Sequence, residues 1–156
     1  MTSIWFLDCL VRDPDPSAAA DAPLALLEVT APPGSQPPPH IHHNEDEGFY
    51  VLEGEVTIHT ARGERTLGPG EFAVGPRGVP HTYRAGAHGV RMLVVSAPAG
   101  FAEFVREMGV PAEREELPVL EGPPDIVRLT EVAARHGIEF TGPPGTLPQR
   151  LDAAAV

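Results

Sequence analysis

GSQPPPHIHHNEDEGFYVLEG, residues 34–54, changes character twice: a proline-stiffened approach gives way to histidines and acids, and these to an apolar run closed by glycine. Proline fixes φ, and each residue before a proline is pushed toward extended backbone, so the chain arrives at His40 extended and helix is excluded. On a strand, side chains alternate faces. His40 and His42 therefore share one face, about one pleat apart and at chelating distance, while His43 points to the other. Glu47 follows the short polar turn His43 to Asp46 and can swing back as an oxygen ligand. Phe49 and Val51 share its parity.

Working outward, the chain from Gly48 to Pro98 is a series of apolar and aromatic stretches separated by EGE, ARGE, GPGE, PRGVP and AGAHG. Short strands at close spacing with glycine turns indicate an antiparallel sandwich or barrel. Toward the N-terminus, Ile4 to Arg12 reads as one strand, Asp13 to Ala22 as a loop, and Leu24 to Thr30 as a second strand. Beyond Ala99 the period changes. Phe101, Phe104, Val105 and Met108 mark one helix face with Gly109 as its C-cap, and Asp125 to His136 is a second helix with the stripe Ile126, Leu129, Val132 and Ala133, closed by Gly137. Thr130 marks a second, weaker start within it, and the tail LDAAAV is expected to fray. The fold class expected is all-β, with residues 1–99 as the barrel and residues 100–156 as a helical extension of the same domain, its two short helices packed outside.

Composition narrows the function. With 156 residues the chain suits one domain, and 16 Gly and 19 Pro fit many turns between short strands. A net charge of −11 argues against nucleic acid and anionic membranes, whose phosphates are held chiefly by Lys and Arg. No apolar run approaches a membrane span, and MTSIWFLDCLVRD lacks a signal-peptide pattern, so a cytoplasmic location is expected. The single cysteine, Cys9, has no internal partner and reads as a buried small hydrophobe.

A fourth metal ligand must come from elsewhere, and His81 in GPRGVPHTY is held by Pro80 at the start of a strand, with Tyr83 on its own face. The first cluster is spaced Gly34, five residues, His40, one, His42, four, Glu47, six, Gly54. The second runs Gly70, five residues, Pro76, one, Gly78, two, His81. These spacings closely resemble the two signatures of the cupin family, G-x5-H-x-H-x3,4-E-x6-G and G-x5-P-x-G-x2-H-x3-N. The departure is Ala85 in place of the final Asn. The resemblance implies a jelly-roll β-barrel with one metal in its mouth, the ligands being His40, His42, Glu47 and His81. The stretch EDEGFYVLEGE and the N-terminal apolar strand look like small cupins described as quercetin dioxygenase-like.

A mixed nitrogen and oxygen set suits one divalent first-row metal, Fe, Mn, Co, Ni, Cu or Zn, and the absence of thiolate argues against a structural zinc site. The first functional reading is a dioxygenase acting with dioxygen on an enolisable aromatic or flavonol-like small molecule. Glu47 is its general base, with its pKa raised by the apolar barrel. The alternatives are a metal-dependent isomerase, cyclase or lyase, as in polyketide metabolism, and a non-catalytic small-molecule-binding module. Glu45 and Asp46 read as a solvated turn, His43 as solvated or supporting, His59 and His88 as surface, and His136 as a cation at a helix C-terminus. Phe49, Val51, Phe72, Val74 and Met92 read as barrel lining or core. The first strand, Ile4 to Leu10, offers an edge for pairing with a partner, and a homodimer is expected from the resemblance.

Overall fold

The computed structural model describes residues 1–151, and antiparallel strands dominate it. Of the tail LDAAAV only Leu151 is described; residues 152–156, where fraying was expected, lie outside the described residues.

The N-terminal run is two strands, not one. β1 (Thr2–Phe6) and β2 (Cys9–Asp13) form a hairpin in which Phe6 opposes Cys9, so Leu7 and Asp8 are the turn. Apolar residues continue through both arms, and a two-residue turn without glycine leaves no local signature. Leu7 adopts φ 54°, an unusual conformation for a side-chain-bearing residue, and its side chain packs in the cluster that includes Phe104 and Leu129. β3 (Ala25–Ala31) pairs with β2.

After the prolines come β4 (His40–His42) and the long strand β5 (Asp46–Thr60), with β6 (Gly63–Leu67) and β7 (Phe72–Gly75) paired to β5. β8 (His81–Ala97) pairs with β5 along its length, with β3, and with β4 at His40 opposite His81. The turns expected at EGE and AGAHG do not end strands. The chain runs through them, with register shifts between Val51 and Glu53 and between Gly54 and Val56. Gly54 at φ 79° and Gly89 at φ 76° face each other at this corner, and a Cβ on Gly54 would collide with the Gly89 carbonyl. Bulges of this kind bend a strand and sharpen its twist. The β5–β8 ribbon therefore folds back on itself.

The main core gathers Val11, Leu27, Phe49, Val56, Leu67 and Met92, all nearly inaccessible. Full burial of each such side chain stabilises by about 1.5–3 kcal/mol before cavity terms are counted. Two helices, α1 (Gly100–Met108) and α2 (Ile126–Arg135), lie outside the sheet as expected. Ala102 and Val105 of α1 join the main core, whereas its Phe104 packs with Leu129, Val132 and Ala133 of α2. Gly109 does follow α1, but at φ −78° it leaves in extended backbone. Its smallness is what matters, since a Cβ there would strike the Ile4 side chain. Asp125 caps α2 by accepting from Arg128 N at 3.0 Å, and Gly137 at φ 69° closes it. Thr130 is interior to α2, its hydroxyl donating to the Ile126 carbonyl at 2.8 Å, so no second start exists there.

Two short strands complete the sheet. β9 (Val110–Pro111) pairs with Ile4 and Trp5 of β1, and β10 (Ile138–Phe140) pairs with β4. The β1 edge expected to accept a partner is thus partly occupied by the chain itself. The result is an all-β antiparallel fold of jelly-roll type with two helices packed against its outside. Among the described residues no helix is long and apolar enough to cross a membrane.

Candidate metal centre

The proline-led strand β4 places His40 and His42 on its buried face, at 9% and 0% exposure. His43 lies on the opposite face and is half exposed, its Nε2 2.8 Å from Glu139 Oε2. Glu47, second residue of β5, and His81, first residue of β8, complete a buried group whose candidate ligand atoms all lie within 4.8 Å of one another. Room for His81 is made by Gly75 on β7, where a Cβ would stand 2.9 Å from the imidazole Nε2.

Each imidazole is oriented by its other nitrogen. Nδ1 of His40 is 2.8 Å from the Pro38 carbonyl, Nδ1 of His81 is 3.1 Å from the Val79 carbonyl, and Nδ1 of His42 is 2.9 Å from Glu45 Oε1. With Nδ1–H donating outward, Nε2 is directed inward in all three, an arrangement typical of metal-ligating histidines. His81 Nε2 is 2.9 Å from Glu47 Oε2. His42 Nε2 stands 3.3 Å from the same oxygen and, among the described residues, is the buried side-chain nitrogen or oxygen atom without a hydrogen-bond partner. Such an orphan is costly in a protein interior, and coordination removes the cost. Three nitrogen donors, one carboxylate oxygen and no thiolate fit a divalent first-row metal.

Burial pushes the His40 imidazole down to about 3, and the neighbouring His81 and His42 add to this, so it is neutral. Burial likewise opposes charge on His42, but Glu47 and Glu45 reverse it and raise the ring to about 9. For Glu47, burial alone raises the carboxyl, yet the charge on His42, 3.3 Å away, and the hydrogen bond with His81 prevail and hold it well below the usual carboxylate range. The expectation that an apolar barrel raises Glu47 is therefore corrected: its nearest neighbours are imidazoles, and they keep it ionised.

Glu45 is the residue the sequence reading missed. Expected in a solvated turn, it is 1% exposed, with one oxygen on His42 and the other 3.4 Å from the position of a Cβ on Gly100, at the start of α1. A carboxylate there also suits the positive end of the helix. Nothing local distinguishes a buried acid from a solvated one in NEDE; the usable signal was its place three residues after a histidine of the cluster. Asp46 does behave as expected, exposed and accepting from Arg77 N at 2.8 Å.

The remaining histidines are peripheral. His88 is exposed, though in a strand rather than a turn. His59 is not a free surface residue: its side chain is 14% exposed, with Nδ1 3.1 Å from Glu64. His136 follows α2 and meets Glu107 at 2.6 Å.

Beside the four clustered residues lies a cavity of about 480 Å³, walled by Phe49, Met92 and Val94 from the sheet and by Phe101 and Phe104 from α1. Phe101 sits edge-on to His42 with ring centres 5.3 Å apart. Of the expected lining residues, Phe49 and Met92 face the cavity and Val51 is core, whereas Phe72 and Val74 are exposed on the outer face. They lie on the short strand β7, whose outward positions no further layer covers. Cys9 is buried as expected; burial first, then the charge of Asp8, pushes its thiol far above the ordinary value.

Residues 27–96, which carry all four residues of this buried three-histidine, one-carboxylate cluster, match the family described as Cupin domain. Among curated proteins the chain is 34% identical over 98 residues to quercetin 2,3-dioxygenase of Bacillus subtilis (strain 168), an alignment taking in 63% of this chain and 29% of that enzyme. The chain thus spans less than a third of that relative. Among solved structures it is similar to KdgF from Halomonas sp., at 22% identity and TM-score 0.51 over 58% of this chain and 79% of that one. It is also similar to an RmlC-like cupin from Shewanella frigidimarina NCIMB 400, at 19% identity and TM-score 0.53 over 64% and 86%. Both likenesses concern the fold.

Proposed function

We propose that the chain is a metal-dependent dioxygenase of quercetinase type, acting on an enolisable aromatic or flavonol-like small molecule. The observation that carries this reading is the unpartnered Nε2 of buried His42, set among three other candidate ligands at an apolar, aromatic-walled cavity. The curated relative supports the reaction class. His40, His42, Glu47 and His81 would hold the metal, which would supply Lewis acidity toward a substrate oxygen and chemistry with dioxygen.

The chain's own residues do the rest. A carboxylate oxygen of Glu47, at the mouth of the cavity beside the imidazoles, accepts the substrate hydroxyl proton and afterwards hydrogen-bonds to the substrate. The walls formed by Phe49, Phe101 and Met92 hold a planar ring and exclude water. Metal analysis of the isolated protein, followed by oxygen-electrode assays with flavonols, tests the reading. Oxygen uptake that depends on bound metal is the expected result; turnover under strict anaerobiosis overturns it in favour of an isomerase or lyase.

Glu45 acts here as a positioning residue for His42. Glu45→Ala is expected to weaken metal affinity by about 10- to 100-fold, read by chelator competition, with the fold retained. Unchanged affinity refutes the role.

Residues 1–99 form most of the barrel and the described residues after them extend the same domain, returning the short strands β9 and β10 to its sheet, and the protein pairs as a homodimer through the outer face of the sheet. Support comes from register: Leu26 opposes Val95, and Leu93, Tyr50 and Phe72 lie in one cross-strand row, leaving apolar side chains on adjacent strands facing outward. Tyr50, Phe72 and Val74 are 39%, 47% and 43% exposed, and contiguous patches of this kind mark association surfaces. Phe72→Glu is expected to convert a dimer to monomer in analytical ultracentrifugation, whereas a wild-type protein that sediments as a monomer overturns the pairing.

A further inference from the structure

The cavity has a second polar region that the proposed chemistry does not use. Tyr83 lies two residues beyond His81 on the same face of β8, about 7 Å further along the strand. The Phe49 ring sits between them, its centre 6.2 Å from that of His81 and 6.3 Å from that of Tyr83. Around the Tyr83 hydroxyl the hairpin turn and the segment after Gly34 bring three more groups. Cys9 Sγ is 3.6 Å from Tyr83 Oη and 3.3 Å from Asp8 Oδ1, and the Ser35 hydroxyl donates to Asp8 Oδ1 at 3.0 Å.

This cluster is an odd thing to place against apolar walls. Val11, Val29, Phe49 and Met92 line the same cavity, and all are buried. In that setting each polar group needs a partner, and the Tyr83 hydroxyl meets the Cys9 sulfur, a weak hydrogen-bonding atom, and the Ser35 hydroxyl, which is itself engaged with Asp8. Asp8, braced by the Ser35 hydroxyl, supplies a carboxylate acceptor, Tyr83 supplies a hydroxyl, and the buried Cys9 thiol stays protonated. Asp8 is delivered by the turn in which Leu7 holds its left-handed conformation at φ 54°, the kind of strain that a packed structure retains where a side chain must be aimed.

We infer that Tyr83, Asp8 and Cys9, with Ser35 bracing Asp8 from behind, form a hydrogen-bonding subsite for a hydroxyl group that the substrate carries at the end remote from its chelating oxygens. The inference rests on the reading of the histidine cluster as the metal-binding end of the same cavity. It specifies the substrate class more narrowly: a flat aromatic molecule with chelating oxygens at one end, an apolar middle lying along Phe49, and a phenolic hydroxyl at the other end. That hydroxyl donates to Asp8 and accepts from Tyr83.

The test compares binding of two probes to the metal-loaded protein under anaerobic conditions, by absorbance titration. The probes are unsubstituted flavonol and a flavonol carrying one hydroxyl on its phenyl ring. The wild type is expected to bind the hydroxylated probe more tightly. Tyr83→Phe, which removes one oxygen and keeps the ring, is expected to weaken that probe by about 3- to 10-fold and leave the unsubstituted one unchanged. Asp8→Asn, which keeps the turn's shape, is expected to give the same selective loss. Equal weakening of both probes, or full preference in both variants, overturns the subsite while leaving the metal-centre reading intact. A wild-type protein that binds neither probe overturns the flavonol reading and the subsite with it.

Discussion

His81→Ala is expected to leave a folded protein that no longer retains metal. The imidazole enters from the start of β8, directly opposite His40, and occupies space that Gly75 keeps clear. Loss of a residue that merely orients a ligand costs about 10- to 100-fold in affinity, so loss of a ligand itself should exceed about 100-fold. The measurement is metal content after gel filtration, with far-ultraviolet dichroism to show that the strands persist. Metal content equal to wild type would sink the assignment of His81 and, with it, the site.

Glu47→Gln separates holding from reacting. The substitution keeps size and one carbonyl oxygen while removing the charge that answers His42 and His81. Three imidazoles remain, so metal content should fall only modestly. Turnover of a flavonol should drop by about 10²- to 10⁴-fold, the usual contribution of a positioned general base. Equal activity in the variant rules out Glu47 as the proton acceptor, and complete metal loss shows that its role is coordination alone.

Much of the candidate site was legible because alternation on a strand is rigid. Parity alone separated His40 and His42 from His43, and the spacing to Glu47 and His81 carried the resemblance that joined two distant segments. The helices were legible for the same reason, their apolar residues recurring at helical spacing. What escaped depended on long-range packing. Glu45 looks like Asp46 in the sequence, and only the start of α1 at Gly100, together with His42, tells them apart. The β1–β2 turn was hidden because Leu7 and Asp8 interrupt no apolar run. Gly54 and Gly89 were read as strand ends because glycine punctuates turns and bulges alike, and only the continuous pairing of β5 with β8 distinguishes them. The neighbours of Glu47 set its ionisation, and these come from two other strands, β4 and β8.

The folded-back ribbon carries a consequence for how the barrel is fastened. Glu47 pairs with Ser96 near one end of the β5–β8 ladder, and His81 pairs with Thr60 at the other. On a flat ribbon these ends would stand about 40 Å apart at ~3.4 Å per residue. The corner at Gly54 and Gly89 brings them to 2.9 Å, Nε2 to Oε2. A cation shared by both residues is therefore a clasp across a hairpin bent double, and loading it should slow the ribbon's unbending as well as arm the site.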